Sequence, residues 1–140
     1  MKYKVIENFN EALNAKKIRE KVFMEEQGFE NEFDEIDQQA IHIELYDEDK
    51  AIGCARMYSI YEDTYILGRI AILKEYRGKN YGSKILDVLE EECKKRNVKK
   101  IELSAQVRAS HFYEKNGYKK IGEEYLDEYC PHIRMVKKLD

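Results

Sequence analysis

The stretch YILGRIAILKEYRGKNYGSK, residues 65–84, decides how the chain folds. Its first nine residues are almost continuously apolar, as in a strand at the centre of a sheet covered on both faces. Past Leu73 come glycine, basic and amide side chains. From Ile85 apolar residues recur at Leu89 and Cys93, the spacing of one helix face. A strand that ends in a small-residue turn and opens a helix aims free backbone N–H groups and the positive helix end at one point, which suits phosphate. Gly78 and Gly82 allow close backbone approach, and Asn80 tolerates a left-handed turn conformation. Arg77 and Lys79 add charge at the rim. Two nucleotide readings fail. The Walker A loop needs four residues between its glycines and Lys before Ser/Thr; here three residues separate Gly78 from Gly82, and Ser83 precedes Lys84. The GxGxxG fingerprint needs a third glycine and an alternating βαβ series. A pyrophosphate held for grip rather than cleavage remains.

Working outward, KYKVIE (2–7) alternates as a strand. Asn8 and Glu11 resemble a capping box opening a helix that runs to Gln27, with Leu13, Ile18 and Val22 on one face and Gly28 as its stop. Residues 28–38 read as acidic loop. AIHIELYDEDKAIGCARMYSI reads as a hairpin turning at DEDK. After the helix at 85 comes an Asn97 cap, then KKIELSA (99–105) as a strand. VRASHFYEKNGY holds a short helix stopped by Gly117, and the remainder ending in HIRMVKKL gives one or two strands. The order βα-βββ-αβ-αβ(β) predicts a mixed α/β (α+β) sheet with a parallel pair around a crossover.

The 140 residues suit one domain with its own core. No apolar run is long enough for a membrane span, the N-terminus lacks a signal-peptide pattern, and the cytoplasm is the expected location. Cys54, Cys93 and Cys130 are odd in number and scattered, as are His42, His111 and His132, so neither disulfides nor a metal is expected. A net charge of −3 argues against nucleic acid. The run KKRNVKK (94–100) has no interleaved aromatics and sits where a helix end favours cations. Charge is nonetheless uneven. Residues 74–84 carry four bases against Glu75, while residues 25–37 carry seven acids and no base. An anionic ligand at one place and a cationic one at another would match.

Ile70-Ala71-Ile72 followed by Arg77-Gly78-Lys79-Asn80-Tyr81-Gly82 resembles the acetyl-CoA motif of the GNAT N-acetyltransferases. ASHFYEKNGY (109–118) resembles their second signature. VFMEEQG (22–28), AIHIEL (40–45), SAQ (104–106) and CPHIRM (130–135) are similar to the ElaA/YjcF-like branch. Asn80 stands where the family usually has glycine, Lys74 where proline is frequent, and Gln106 where many members carry asparagine. The resemblance implies one GNAT domain over residues 1–140, with six to seven mostly antiparallel strands, flanking helices, and a splay between strands four and five. It also implies acetyl-CoA as acyl donor, held by the backbone of Ile70, Ala71 and Ile72 and by residues Arg77, Gly78, Lys79, Asn80, Tyr81, Gly82, Ser83 and Gln106. The partner implied is a small amine, with no nucleic acid or membrane, and a monomer or homodimer.

N-acetyl transfer needs a neutral amine, a polarised thioester carbonyl and a proton for the leaving thiolate. The resemblance makes Tyr113 the general acid, since a phenol pKa near 10 is roughly matched to a thiol of about 8.5. A backbone N–H near Ile72 would steady the carbonyl oxygen. Glu26, His42 and His132 are candidates for the base, and His111 is expected at the surface. The acidic 25–37 segment would face a cationic acceptor such as a polyamine or amino sugar. The alternatives are an acyl-CoA-binding regulator without chemistry and a small nucleic-acid module.

Overall fold

A computed structural model describes residues 2–139. Seven strands form one sheet: β1 (Lys2–Ile6), β2 (Ile41–Asp47), β3 (Lys50–Tyr61), β4 (Thr64–Ile72), β5 (Lys100–Gln106), β6 (Lys119–Asp127) and β7 (Cys130–Lys138). Their order across the sheet is β1-β2-β3-β4-β5-β7-β6, and only β4 and β5 run parallel. The parallel pair follows from the crossover helix α2 (Tyr81–Lys95), since parallel neighbours need a long connection. Ile85, Leu89 and Cys93 on α2 are fully buried against the sheet, as their spacing predicted. Burying such an apolar side chain stabilises the fold by about 1.5–3 kcal/mol.

The parallel pairing is short. Thr64 to Leu67 match Lys100 to Leu103, and there it ends. At the next position β4 carries a bulge: Arg69 and Ile70 together oppose Ala55 of β3, and Arg69 takes a left-handed φ of 52°. A bulge bends its strand and adds twist, so β4 swings away from β5 from Gly68 onward. This is the splay expected between the fourth and fifth strands.

The N-terminal helix differs from its prediction. Phe9–Glu11 is a 3-10 turn, Leu13–Arg19 is the α-helix (α1), and Glu20–Glu26 widens into a π-helical turn in which Gln27 N–H reaches Val22 O. Asn8 accepts from Asn10 N–H without a reciprocal Glu11 bond, so the capping box there is incomplete. The complete box is at Asp34 and Asp37, capping a 3-10 turn over Glu35–Gln38 within the stretch predicted as loop. Leu13 is exposed, and the inward face consists of Ala12, Ala15, Ile18, Arg19 and Val22. The start of α1 is instead satisfied from the sheet, where Glu44 accepts from Ala15 N–H at 2.8 Å. Gly28, Asn97 and Gly117 all adopt the left-handed conformation expected of helix stops.

Candidate active site

Where β4 and β5 part, a cavity of about 520 Å³ opens. Gly68 and Ile70 of β4 form one side, with Leu103, Ser104 and Gln106 of β5 opposite. Phe23 and Gln27 come from the π-turn, Tyr113 from the short helix α3 (Ser110–Lys115), and Asp127, Glu128 and His132 from the β6–β7 hairpin. The cavity thus gathers Ile70, Gln106, Tyr113 and His132 from among the predicted site residues. Ala71 and Ile72, the loop from Arg77 to Ser83, and Glu26 lie outside its wall.

Tyr113 is half-buried, and burial pushes its pKa up to about 12. Among the described residues nothing hydrogen-bonds its Oη. His132 is buried at 6% exposure, and its Nδ1 lies 2.9 Å from the Cys130 carbonyl. A carbonyl only accepts, so Nδ1 carries the hydrogen and Nε2 is left as the proton-accepting nitrogen. His42, another candidate base, is fully buried beneath Phe9 with Nε2 on Asp37 O, and burial lowers its pKa. It does not line the cavity. His111 is exposed, as expected.

Glu26 and Arg77, predicted for separate tasks, are partners. Arg77 donates from both terminal nitrogens to the Glu26 carboxylate, at 2.9 Å for Nη2, and from Nε to Ile72 O at 2.9 Å. The hydrogen-bonded guanidinium holds the Glu26 carboxyl below its ordinary range, which works against a general base. The pair joins the π-turn to the end of β4. Leu73 N–H bonds Ile52 O. By the alternation of an antiparallel ladder Ala71 also faces β3, so Ile72 turns its backbone toward the gap.

In the loop, Gly78 and Asn80 are left-handed at φ of 76° and 69°, and Asn80 precedes the first turn of α2. Gly82 also abuts the next helix: a Cβ there would lie 3.0 Å from the Phe112 ring. The glycine makes room for the residue next to Tyr113. Gln106 is held by Gln27 and Arg108, at 2.8 Å each.

The composition of the acidic segment gave no sign of its partners. Arg19, at 1% exposure, donates to Glu32 and Asp37 at 2.8 Å each. Arg56 binds Asp34 at 2.7 Å and Asp37 at 2.8 Å, and Arg69 binds Glu32 at 3.0 Å. Burial alone would raise Asp37, but its hydrogen bonds from Arg19, the Asp34 N–H and Arg56 bring it down to about 2. Arg56, on the third strand, is readable from the sequence as a partner for the acidic loop, and it pairs there. Arg19 and Arg69 were the functional-region residues that sequence reasoning missed, and a basic residue on the apolar face of α1 was the available signal for Arg19. Of the KKRNVKK run, Lys95 and Arg96 pair with Glu92, and Lys100 with Glu102, which consumes much of a nucleic-acid patch.

Comparison with known proteins agrees with this architecture. The sequence profile described as an acetyltransferase (GNAT) domain matches residues 4–139. The uncharacterised N-acetyltransferase YjcF of Bacillus subtilis (strain 168) is 36% identical over 141 residues, covering 98% of this chain and 99% of YjcF. The crystal structure of Escherichia coli ElaA superposes with a TM-score of 0.85 at 22% identity, covering 97% of this chain and 98% of ElaA. An aminoglycoside 6'-N-acetyltransferase solved with coenzyme A superposes at 0.77 with 17% identity, covering 99% and 97%. The chain belongs to the GNAT acetyltransferase family and is an N-acetyltransferase. Within the family it falls in the ElaA/YjcF-like branch. Among the described residues no helix is long and apolar enough to cross a membrane.

Proposed function

We propose that the chain moves the acetyl group of acetyl-CoA to a primary amine of a small, cationic acceptor by direct attack. One observation carries the reading: the parted strands open onto a cavity that presents an unpartnered phenol, Tyr113, and the free Nε2 of His132. The pantetheine arm would lie in the gap as an added strand, bonded by the backbone of Ile72. The turn from Arg77 to Ser83, opening α2, would grip the pyrophosphate through its N–H groups. That Arg77 is tied to Glu26 and Ile72 makes its part the shaping of the turn more than direct charge.

The acceptor amine gives its proton to His132 Nε2 as its nitrogen attacks the thioester carbon. Negative charge on the carbonyl oxygen is met by a backbone N–H of β4 near Ile72. The C–S bond then breaks, and the departing thiolate takes the Tyr113 proton. A phenol raised by burial stays protonated at neutral pH and so holds a proton ready for the departing thiolate. Afterwards the phenolate recovers the proton from the imidazolium, directly or through water. Glu26 is replaced as base by His132 on the grounds of its partner.

A thiol-release assay with acetyl-CoA across an amine panel tests the reading. Amine-dependent release is expected. Binding of CoA without release would leave the acyl-CoA-binding regulator in its place. Tyr113→Phe is expected to lower turnover about 100-fold while nearly keeping acetyl-CoA affinity; near-normal turnover would remove Tyr113 from the mechanism.

A further inference from the structure

Four acids line the cavity: Glu32, Asp34, Asp127 and Glu128. Glu32 and Asp34 are taken by Arg19, Arg56 and Arg69. Glu128 accepts from the N–H groups of Glu30 and Asn31 at 3.1 Å each, from a left-handed turn position at φ 53°. It clasps the hairpin to the loop above the cavity. Among the described residues Asp127 alone of the four has neither an ion pair nor a hydrogen bond. The cavity's two arginines, Arg56 and Arg69, are already spent on acids.

Asp127 also has a meaningful neighbour. It pairs with Cys130 across the hairpin, and His132 lies two residues beyond Cys130. By strand alternation Asp127 and His132 share one face as diagonal neighbours. His132 is 6% exposed, and its unpartnered Nε2 belongs to the same cavity wall.

We infer that Asp127 is the specificity-determining carboxylate, and that it takes a second cationic centre of the acceptor while the reacting amine meets His132. Diagonal neighbours lie about 7–8 Å apart at the backbone, which brings a carboxylate and an imidazole within reach of the two ends of one short α,ω-diamine. The cation site is therefore on the hairpin, and the acidic segment 25–37 is not the recognition surface. The role given to His132 rests on the acetyl-transfer reading; recognition at Asp127 can be measured without turnover.

The experiment titrates CoA-loaded protein calorimetrically with 1,4-diaminobutane and 1,5-diaminopentane, and with butylamine and pentylamine as their single-charge counterparts. The better diamine is expected to bind at least about tenfold tighter than its monoamine, the size of one charge-assisted contact. Asp127→Asn should bring the two within about twofold by removing that contact. Asp127→Glu should keep the preference but move it toward the shorter diamine. Glu124→Gln, on the same strand outside the cavity wall, makes the same change in net charge and should alter nothing. Equal or undetectable binding of diamine and monoamine, or a preference that survives Asp127→Asn, overturns the proposal. Absence of thiol release with every amine would remove acetyl transfer and leave the binding result to stand or fall by itself.

Discussion

Of the seven acids in residues 25–37, four end in ion pairs with arginines supplied from α1, β3, β4 and the turn after β4. In residues 74–84, by contrast, Lys79 and Lys84 stay at the surface, resting over the rings of Tyr76 and Tyr81 from their own segment. The two stretches are similarly lopsided in the sequence. What separates them is how far away the compensating charge lies. Arg19, Arg56 and Arg69 are 13 to 37 residues from the acids they meet, and such partners cannot be found by local composition. The acidic stretch became structural, while the basic stretch, Arg77 apart, kept its charge available.

The contrast can be broken most severely at Arg19. Arg19→Met leaves Glu32 with less support and Asp37 with one guanidinium instead of two, both buried. Denaturant unfolding should show a loss of about 3–5 kcal/mol. A loss below 1 kcal/mol would mean that the acids are not held as described.

Acid titration is the second way to break it. Asp37 sits at about 2 when folded, against about 3.9 unfolded. Its contribution is therefore complete above about pH 4 and is lost as pH falls toward 2. Burial pushes Glu32 the other way, with Arg69 and Arg19 opposing. The difference between wild type and Asp37→Asn isolates the one group: the two stability curves should converge between pH 4 and 2 and run parallel above. Curves that converge instead between pH 7 and 5 would assign the effect to another group.

At the basic stretch the effects should be small. Asn80→Gly relieves a left-handed non-glycine residue at the price of unfolded-chain entropy. Thermal unfolding should move by no more than the equivalent of about 1 kcal/mol. Lys84→Ala, removing an exposed lysine from a tyrosine ring, should change stability by under about 0.5 kcal/mol. A large loss in either would place that loop in the same structural class as the acidic one.

What was legible in the sequence is what local chemistry determines. The period of Ile85, Leu89 and Cys93, the stops at Gly28, Asn97 and Gly117, and the apolar run of β4 all carried into the structure. Of the cavity lining, Tyr113 and His132 were legible because short motifs carry them. The rest depended on contacts between distant segments. The bulge at Arg69 and the turn at Glu128 place charged residues in conformations usually left to glycine or asparagine, so nothing in their identity announces them. β6 is exposed along its whole length and shows no alternation to read. The Glu26–Arg77 pair joins residues separated by 51 positions.

The short β4–β5 pairing also bears on how the molecule holds together. β1 to β4 are successive antiparallel neighbours and β5, β7 and β6 form a second group; within the sheet the two are stitched only from Thr64 to Leu67. Such a seam is where amide exchange should first reveal subglobal opening. A molecule bonded to both edges of the gap would add rungs to the ladder at its thinnest point. The two halves would then open less independently, and the acyl donor would act as a fastener of the fold as well as a reactant.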